Sequence, residues 1–125
     1  MQTYEKLTLY NKFYGLTKYN YRMVKNFSKE YKFTLGGDIC ALSWACLDLV
    51  IETNALPNNN KYSKIISLSN DFDRLKLRIR IAQEIKLISV SQFSHIQENY
   101  LTEIGSMIGG WMKWAETNRE RFHVV

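Results

Sequence analysis

A chain of 125 residues, 46% hydrophobic and 23% charged, fits a single domain whose core needs no disulfide or metal staple. One proline and six glycines argue against an all-β or loop-rich fold, no long apolar run reads as a bilayer span, and the N-terminus lacks an apolar signal region. The net charge of +5 is moderate for a polyanion binder.

Its placement says more than its size. Residues 1–33 hold seven Lys/Arg against Glu5 and Glu30, and residues 34–57 hold only Asp38, Asp48 and Glu52. Residues 58–88 return to seven basic against three acidic residues, and the remainder is slightly acidic. Two basic segments flanking an acidic one suit a bound polyanion, although solvated helix faces carry the same runs. Cys40 and Cys46 stand six residues apart on one predicted helix, too far for a local disulfide, and read as small core residues of a reducing, cytoplasmic setting.

The first predicted helix runs from Tyr4 to about Asn26, with Leu9, Tyr10, Phe13, Leu16, Val24 and Phe27 on its apolar side. Lys18, Arg22, Lys25 and Lys29 follow at steps of four, three and four, which gathers them within about 60° of arc. Tyr14 and Tyr21 flank that row. Such rings can stack on bases while the cations meet phosphates; the alternative is a solvated lysine face over buried tyrosine rings.

Residues 27–33 have no helical stripe and read as a connection. Thr34 is the expected N-cap of the second helix, which Gly36 and Gly37 weaken at its opening turn. Ile39, Leu42, Cys46 and Leu49 mark its core stripe, widened by Leu47, Val50 and Ile51. With no basic residue, this is the segment expected to be most buried. Pro57 and three successive asparagines end it.

The third helix, from about Lys61 to Leu87, carries two apolar stripes. Ile65, Leu68, Phe72, Leu75, Ile79 and Ala82 form one, and Leu77, Ile81 and Ile85 lie roughly opposite at about 100° per residue. Arg74 and Arg78 border the second stripe on one side, with Lys76 and Arg80 on the other. A monomer needs one apolar face, so Leu77, Ile81 and Ile85 are candidate subunit-interface residues. Arg74, Arg78 and Arg80 join Lys18, Arg22, Lys25 and Lys29 as candidate contacts for an anionic partner.

The fourth helix runs from Gln92, capped by Ser91, to about Asn118, with Phe93, Ile96, Tyr100, Ile104, Met107, Trp111 and Trp114 on one side. Gly105, Gly109 and Gly110 are costly inside a helix, by up to about 1 kcal/mol each relative to alanine. Close helix packing around these glycines and Trp111 is the expected compensation. The bundle domain is taken as residues 1–118, with 119–125 a flexible tail. Four long amphipathic segments with short connections predict an all-α, up-down antiparallel four-helix bundle.

Catalytic signatures are thin. The sequence has no phosphate-binding glycine loop, nucleophile elbow or paired Cys-x-x-Cys, and His95 with Glu98 reverses and does not repeat the spacing of a di-iron bundle. No metal, cofactor or catalytic residue is expected. An oligomeric RNA-binding or RNA–protein adaptor, a purely protein-binding bundle, and an enzyme with an unrecognised site remain, in that order.

Four stretches carry a resemblance. They are Tyr4-Glu5-Lys6-Leu7, the run from Phe27 to Gly36, Arg80-Ile81-Ala82-Gln83-Glu84, and the run from Glu103 to Trp111. In order and spacing they resemble the accessory variability determinant proteins of diversity-generating retroelements. The resemblance covers the chain up to about Trp114. It implies a homopentameric barrel of four-helix bundles. The implied partners are the element's reverse transcriptase and its template RNA or the cDNA copied from it, with no membrane. The implied role is non-catalytic support of mutagenic cDNA synthesis and retrohoming. Ser28 replaces a usual proline, which loosens the expected turn without abolishing it, and Lys32 replaces a usual arginine. A related bundle family, encoded by intervening sequences in ribosomal RNA genes, carries Ser-Asn-Ile-Ala-Glu-Gly in its second helix. Here that helix reads Gly37-Asp-Ile-Cys-Ala-Leu-Ser-Trp, which ranks that reading second.

Overall fold

The structure, a computed structural model, describes residues 3–119, with side chains from Leu7 onward. Over these residues it is helical and has no strand. Helix α1 (Thr3–Lys25) is followed by a single turn, α2 (Lys29–Lys32), and by α3 (Leu35–Ala55). A 3₁₀ turn (Asn58–Asn60) leads into α4 (Tyr62–Glu84). The last long element is α5 (Val90–Ile96), which passes through a π turn (Gln97–Leu101) into α6 (Thr102–Asn118) without a break. Neighbours along the chain pack side by side, and α6 returns against α1, closing an up-down bundle of four long helices.

The 3.6-residue period explains most of the core. On α1 Leu9, Phe13, Leu16 and Val24 are buried, as is Phe27 just past its end, and on α4 the six residues of the predicted stripe are all buried. Phe13 meets Phe72 edge-on with centroids 5.8 Å apart, pinning α1 to the diagonal helix α4. On α3 the buried line is Ile39, Ser43, Cys46, Val50 and Thr53, while Ile51, expected to widen the core, is half exposed. Ser43 is tolerated because its hydroxyl donates to the Ile39 carbonyl (2.7 Å) and accepts from the Asn20 amide (2.9 Å), which also sets the register of α1 against α3. Helix α3 with its preceding turn has the length and mean apolarity of a bilayer span, contrary to expectation. Its apolar side chains nonetheless line the bundle core, as in the central helix of a globular bundle.

Helix ends depart from the sequence reading in three places. The fourth helix is capped by Ser89, not Ser91: Ser89 Oγ accepts from the Gln92 amide (3.0 Å) and Gln92 Oε1 from the Ser89 amide (2.8 Å), a complete capping box. Helix α4 stops at Glu84 rather than Leu87. Lys86 takes a left-handed conformation (φ 66°), and the Leu87 amide donates back to the Ala82 carbonyl (2.8 Å). Thr34 precedes α3 as expected, but its hydroxyl donates to the Glu30 carbonyl (3.3 Å) instead of capping. Helix α6 continues through Asn118, and of the predicted tail only Arg119 lies among the described residues.

The π turn shifts the buried face of the fourth helix. An unbroken 3.6-residue helix would bury Tyr100 and Met107; the extra residue per turn instead buries Leu101 and Ile108, leaving Tyr100 and Met107 at the core's edge. Lys12 braces this turn, donating to the Asn99 carbonyl (3.1 Å) and pairing with Glu103 (2.9 Å).

The expected close packing around the glycines of this helix is not found. A Cβ on Gly105 would make an ordinary 3.7 Å contact with Phe72, and on Gly109 or Gly110 would meet nothing within 4 Å. Trp111 is buried, as expected. The glycines that do permit close approach are Gly15, where a Cβ would stand 3.2 Å from the Tyr100 ring, and Gly36.

Candidate functional site

The basic row on α1 stands as predicted over three of its four members. Lys18, Arg22 and Lys25 are exposed, and none has a carboxylate within ion-pair distance among the described residues. Lys29 falls on α2, past the end of α1, so it leaves the row although it stays exposed at the same end of the bundle. The flanking rings are accessible rather than buried: Tyr14 and Tyr21 are each about half exposed (47% and 49%). Lys18 Nζ lies 5.0 Å from the Tyr14 ring centroid. Trp44 on α3, also half exposed, donates from Nε1 to the Tyr21 hydroxyl (2.8 Å).

The cations of α4 are held differently. Arg74 pairs with Asp71 (2.8 Å), Lys76 with Asp73 (3.3 Å) and Arg80 with Glu84 (3.0 Å), all one turn away. The Arg78 guanidinium donates to the Arg74 carbonyl (3.2 Å). Such exposed pairs are weak, about 0.3–0.5 kcal/mol each, and leave the arginines free to exchange partners. Most of the described cations without a carboxylate partner lie on α1 and α2, although Arg78 on α4 also lacks one. Leu77, Ile81 and Ile85 form a strip 39–50% exposed with no partner in the bundle, as the second stripe predicted.

Where α1 turns through α2 into α3, the structure brings together residues that the sequence reading left apart. Arg22, Lys25, Lys32, Phe33, Gly37 and Cys40 line a cleft of about 520 Å³, and Phe33 is 78% exposed at its edge. Sequence reasoning took residues 27–33 as a connection and missed Lys32, Phe33 and Trp44. A usable signal was the seven-residue spacing of Tyr14 and Tyr21 on α1, together with Trp44 on α3, aromatic positions outside either core stripe.

Neither thiol is placed for chemistry. Cys40 and Cys46 are free and buried. Burial raises both thiol pKa values, and for Cys46 burial, then the nearby Asp71 charge, push it up to about 12. At pH 8, a disulfide reagent is therefore expected to react with Cys40 slowly and with Cys46 only after unfolding; two fast equivalents in the native protein would contradict this burial. No cluster of three or more metal-ligating side chains occurs among the described residues.

The fold and its surface define a helical scaffold: a four-helix bundle with a free basic row, accessible aromatic rings and an unpartnered apolar strip. Residues 7–115 match the bAvd-like family model, and the chain belongs to that family, the accessory variability determinant proteins. No curated protein and no solved structure gives a significant match.

Proposed function

We propose that the chain is a non-catalytic accessory protein of a diversity-generating retroelement. In this reading it binds the element's reverse transcriptase and its template RNA through a basic surface, in the cytoplasm, and supports mutagenic cDNA synthesis and retrohoming. The observation that carries the reading is the row Lys18, Arg22 and Lys25, free of carboxylates and flanked by exposed Tyr14 and Tyr21, on a chain of this family. Cations that track phosphates beside rings that stack on bases are the usual means of holding a single strand. Arg74 and Arg80 extend the surface on α4 by releasing their local carboxylates, and Arg78 by releasing the Arg74 carbonyl.

The chain also assembles with itself in this reading, as a ring of five. Two separate apolar strips, Leu77, Ile81 and Ile85 along α4 and its C-cap, and Trp44 with Ile51 on α3, suit a head-to-tail contact that closes. A monomeric mass by light scattering at micromolar concentration contradicts the ring.

The test of the RNA surface is a titration of labelled single-stranded RNA at several salt concentrations. With Lys18, Arg22 and Lys25 all changed to Gln, the slope of log affinity against log salt should flatten by about 2, at roughly 0.7 per phosphate contact. The pair Arg74→Gln with Arg78→Gln should flatten it less, since Arg74 is already paired. An unchanged slope and affinity in the triple variant sinks the assignment.

A further inference from the structure

The cleft at the α1–α2–α3 corner differs in kind from the basic row beside it. Its floor is apolar backbone and small side chains: Val24 from α1, and Gly36, Gly37 and Cys40 from the first turns of α3. Tyr21 and Phe33 form its walls. Its rim carries Arg22, Lys25 and Lys32, no acidic residue lines it, and none of the three cations has an ion-pair partner among the described residues. At about 520 Å³ it falls within the roughly 300–1,000 Å³ of pockets that enclose small ligands or anchoring side chains.

The geometry points to a docking site for an acidic peptide segment that inserts one bulky apolar side chain. The floor buries an apolar group without leaving a polar atom unpaired, and three free cations around it match carboxylates on either side of that anchor. A nucleobase fits this floor less well. Its polar edge would face Val24 and Cys40, where no side chain offers a strong hydrogen bond, and the Tyr21 hydroxyl is already taken by Trp44. The cleft shares Tyr21, Arg22 and Lys25 with the proposed RNA surface, whereas Lys32, Phe33, Gly36, Gly37 and Cys40 belong to the cleft alone.

Gly37 offers a clean block. A Cβ there meets nothing within 4 Å and its φ is not positive, so Gly37→Leu fills the cleft without straining the helix. The experiment is fluorescence anisotropy of the full chain at moderate salt with a short labelled peptide bearing one Phe between Asp and Glu residues. Its controls are the same peptide with Ala for Phe and a labelled single-stranded RNA. Wild type should bind the Phe peptide, and the Ala peptide should bind about tenfold more weakly or worse. Gly37→Leu should weaken the Phe peptide about as much while leaving RNA affinity unchanged, and Lys32→Glu should weaken it without filling the floor. Circular dichroism confirms the fold of each variant, and Lys32→Glu decides alone if Gly37→Leu does not fold. No binding of the Phe peptide overturns the site, as does equal binding of the Ala peptide. Loss of RNA in place of peptide with Gly37→Leu would make the cleft a nucleotide pocket, and a changed oligomeric mass would make it a subunit contact; either overturns the proposal. Failure of the RNA titration above leaves the peptide result standing.

Discussion

Replacing Lys61 by Met is expected to lower the unfolding free energy by about 3 kcal/mol, the cost of stranding buried acceptors served by a charged donor. The side chain is 1% exposed, and its ammonium donates to the carbonyls of Thr53 (2.6 Å), Leu56 (2.6 Å) and, at longer range, Asn54 (3.4 Å). These carbonyls belong to the last turn and C-cap of α3, where a helix runs out of its own donors and carries the negative end of its dipole. One lysine from the start of the next helix therefore closes the end of the previous one. Methionine keeps the stem and loses the donor, so the effect isolates the hydrogen bonds from packing. Urea denaturation should show a lower midpoint with an unchanged slope. A loss below about 1 kcal/mol would mean that water takes over the carbonyls and that the lysine is only space-filling.

Gly36→Ala is expected to cost about 2–3 kcal/mol, at the upper end of overpacking substitutions. An added Cβ would stand 2.5 Å from Val24 Cγ1 and 3.4 Å from both the Phe27 ring and the Tyr31 carbonyl, so α3 would have to draw away from the corner that α1 and α2 make. The thermal midpoint should fall by roughly 10 °C. Gly109→Ala is the matched comparison. With nothing near its Cβ it should gain up to about 1 kcal/mol from helix propensity alone. Equal midpoints for the two variants would remove the distinction between them.

That contrast shows what the sequence makes legible and what it hides. The two stripes of α4 were readable because α4 is an uninterrupted α-helix, and in such a helix angle follows directly from residue number. The basic row of α1 was readable for the same reason, up to Lys25 where that helix ends. The role of a glycine is set by the element lying across from it. Gly109 and Gly36 look alike along the chain and differ only once Val24 and Phe27 are in place. The left-handed turn at Lys86 was hidden because that position usually favours glycine. Ser89 is the exception, since its Ser-x-x-Gln spacing is present in the sequence. The cleft was hidden because its walls come from residues 21 to 40, through a single helical turn too short to show a period.

The π turn from Gln97 to Leu101 bears on chain length rather than on stability. A π turn is an α-helix that has taken up one residue more than its packing needs. In this bundle the surplus is absorbed on the spot: Ile96 and Leu101 both stay in the core, and Tyr100 is carried to the core's edge against Gly15. A chain one residue shorter here would present the same core on an unbroken helix, with no compensating change in its loops. Insertions and deletions, which usually belong to connections, thus have a place inside a helix of this protein.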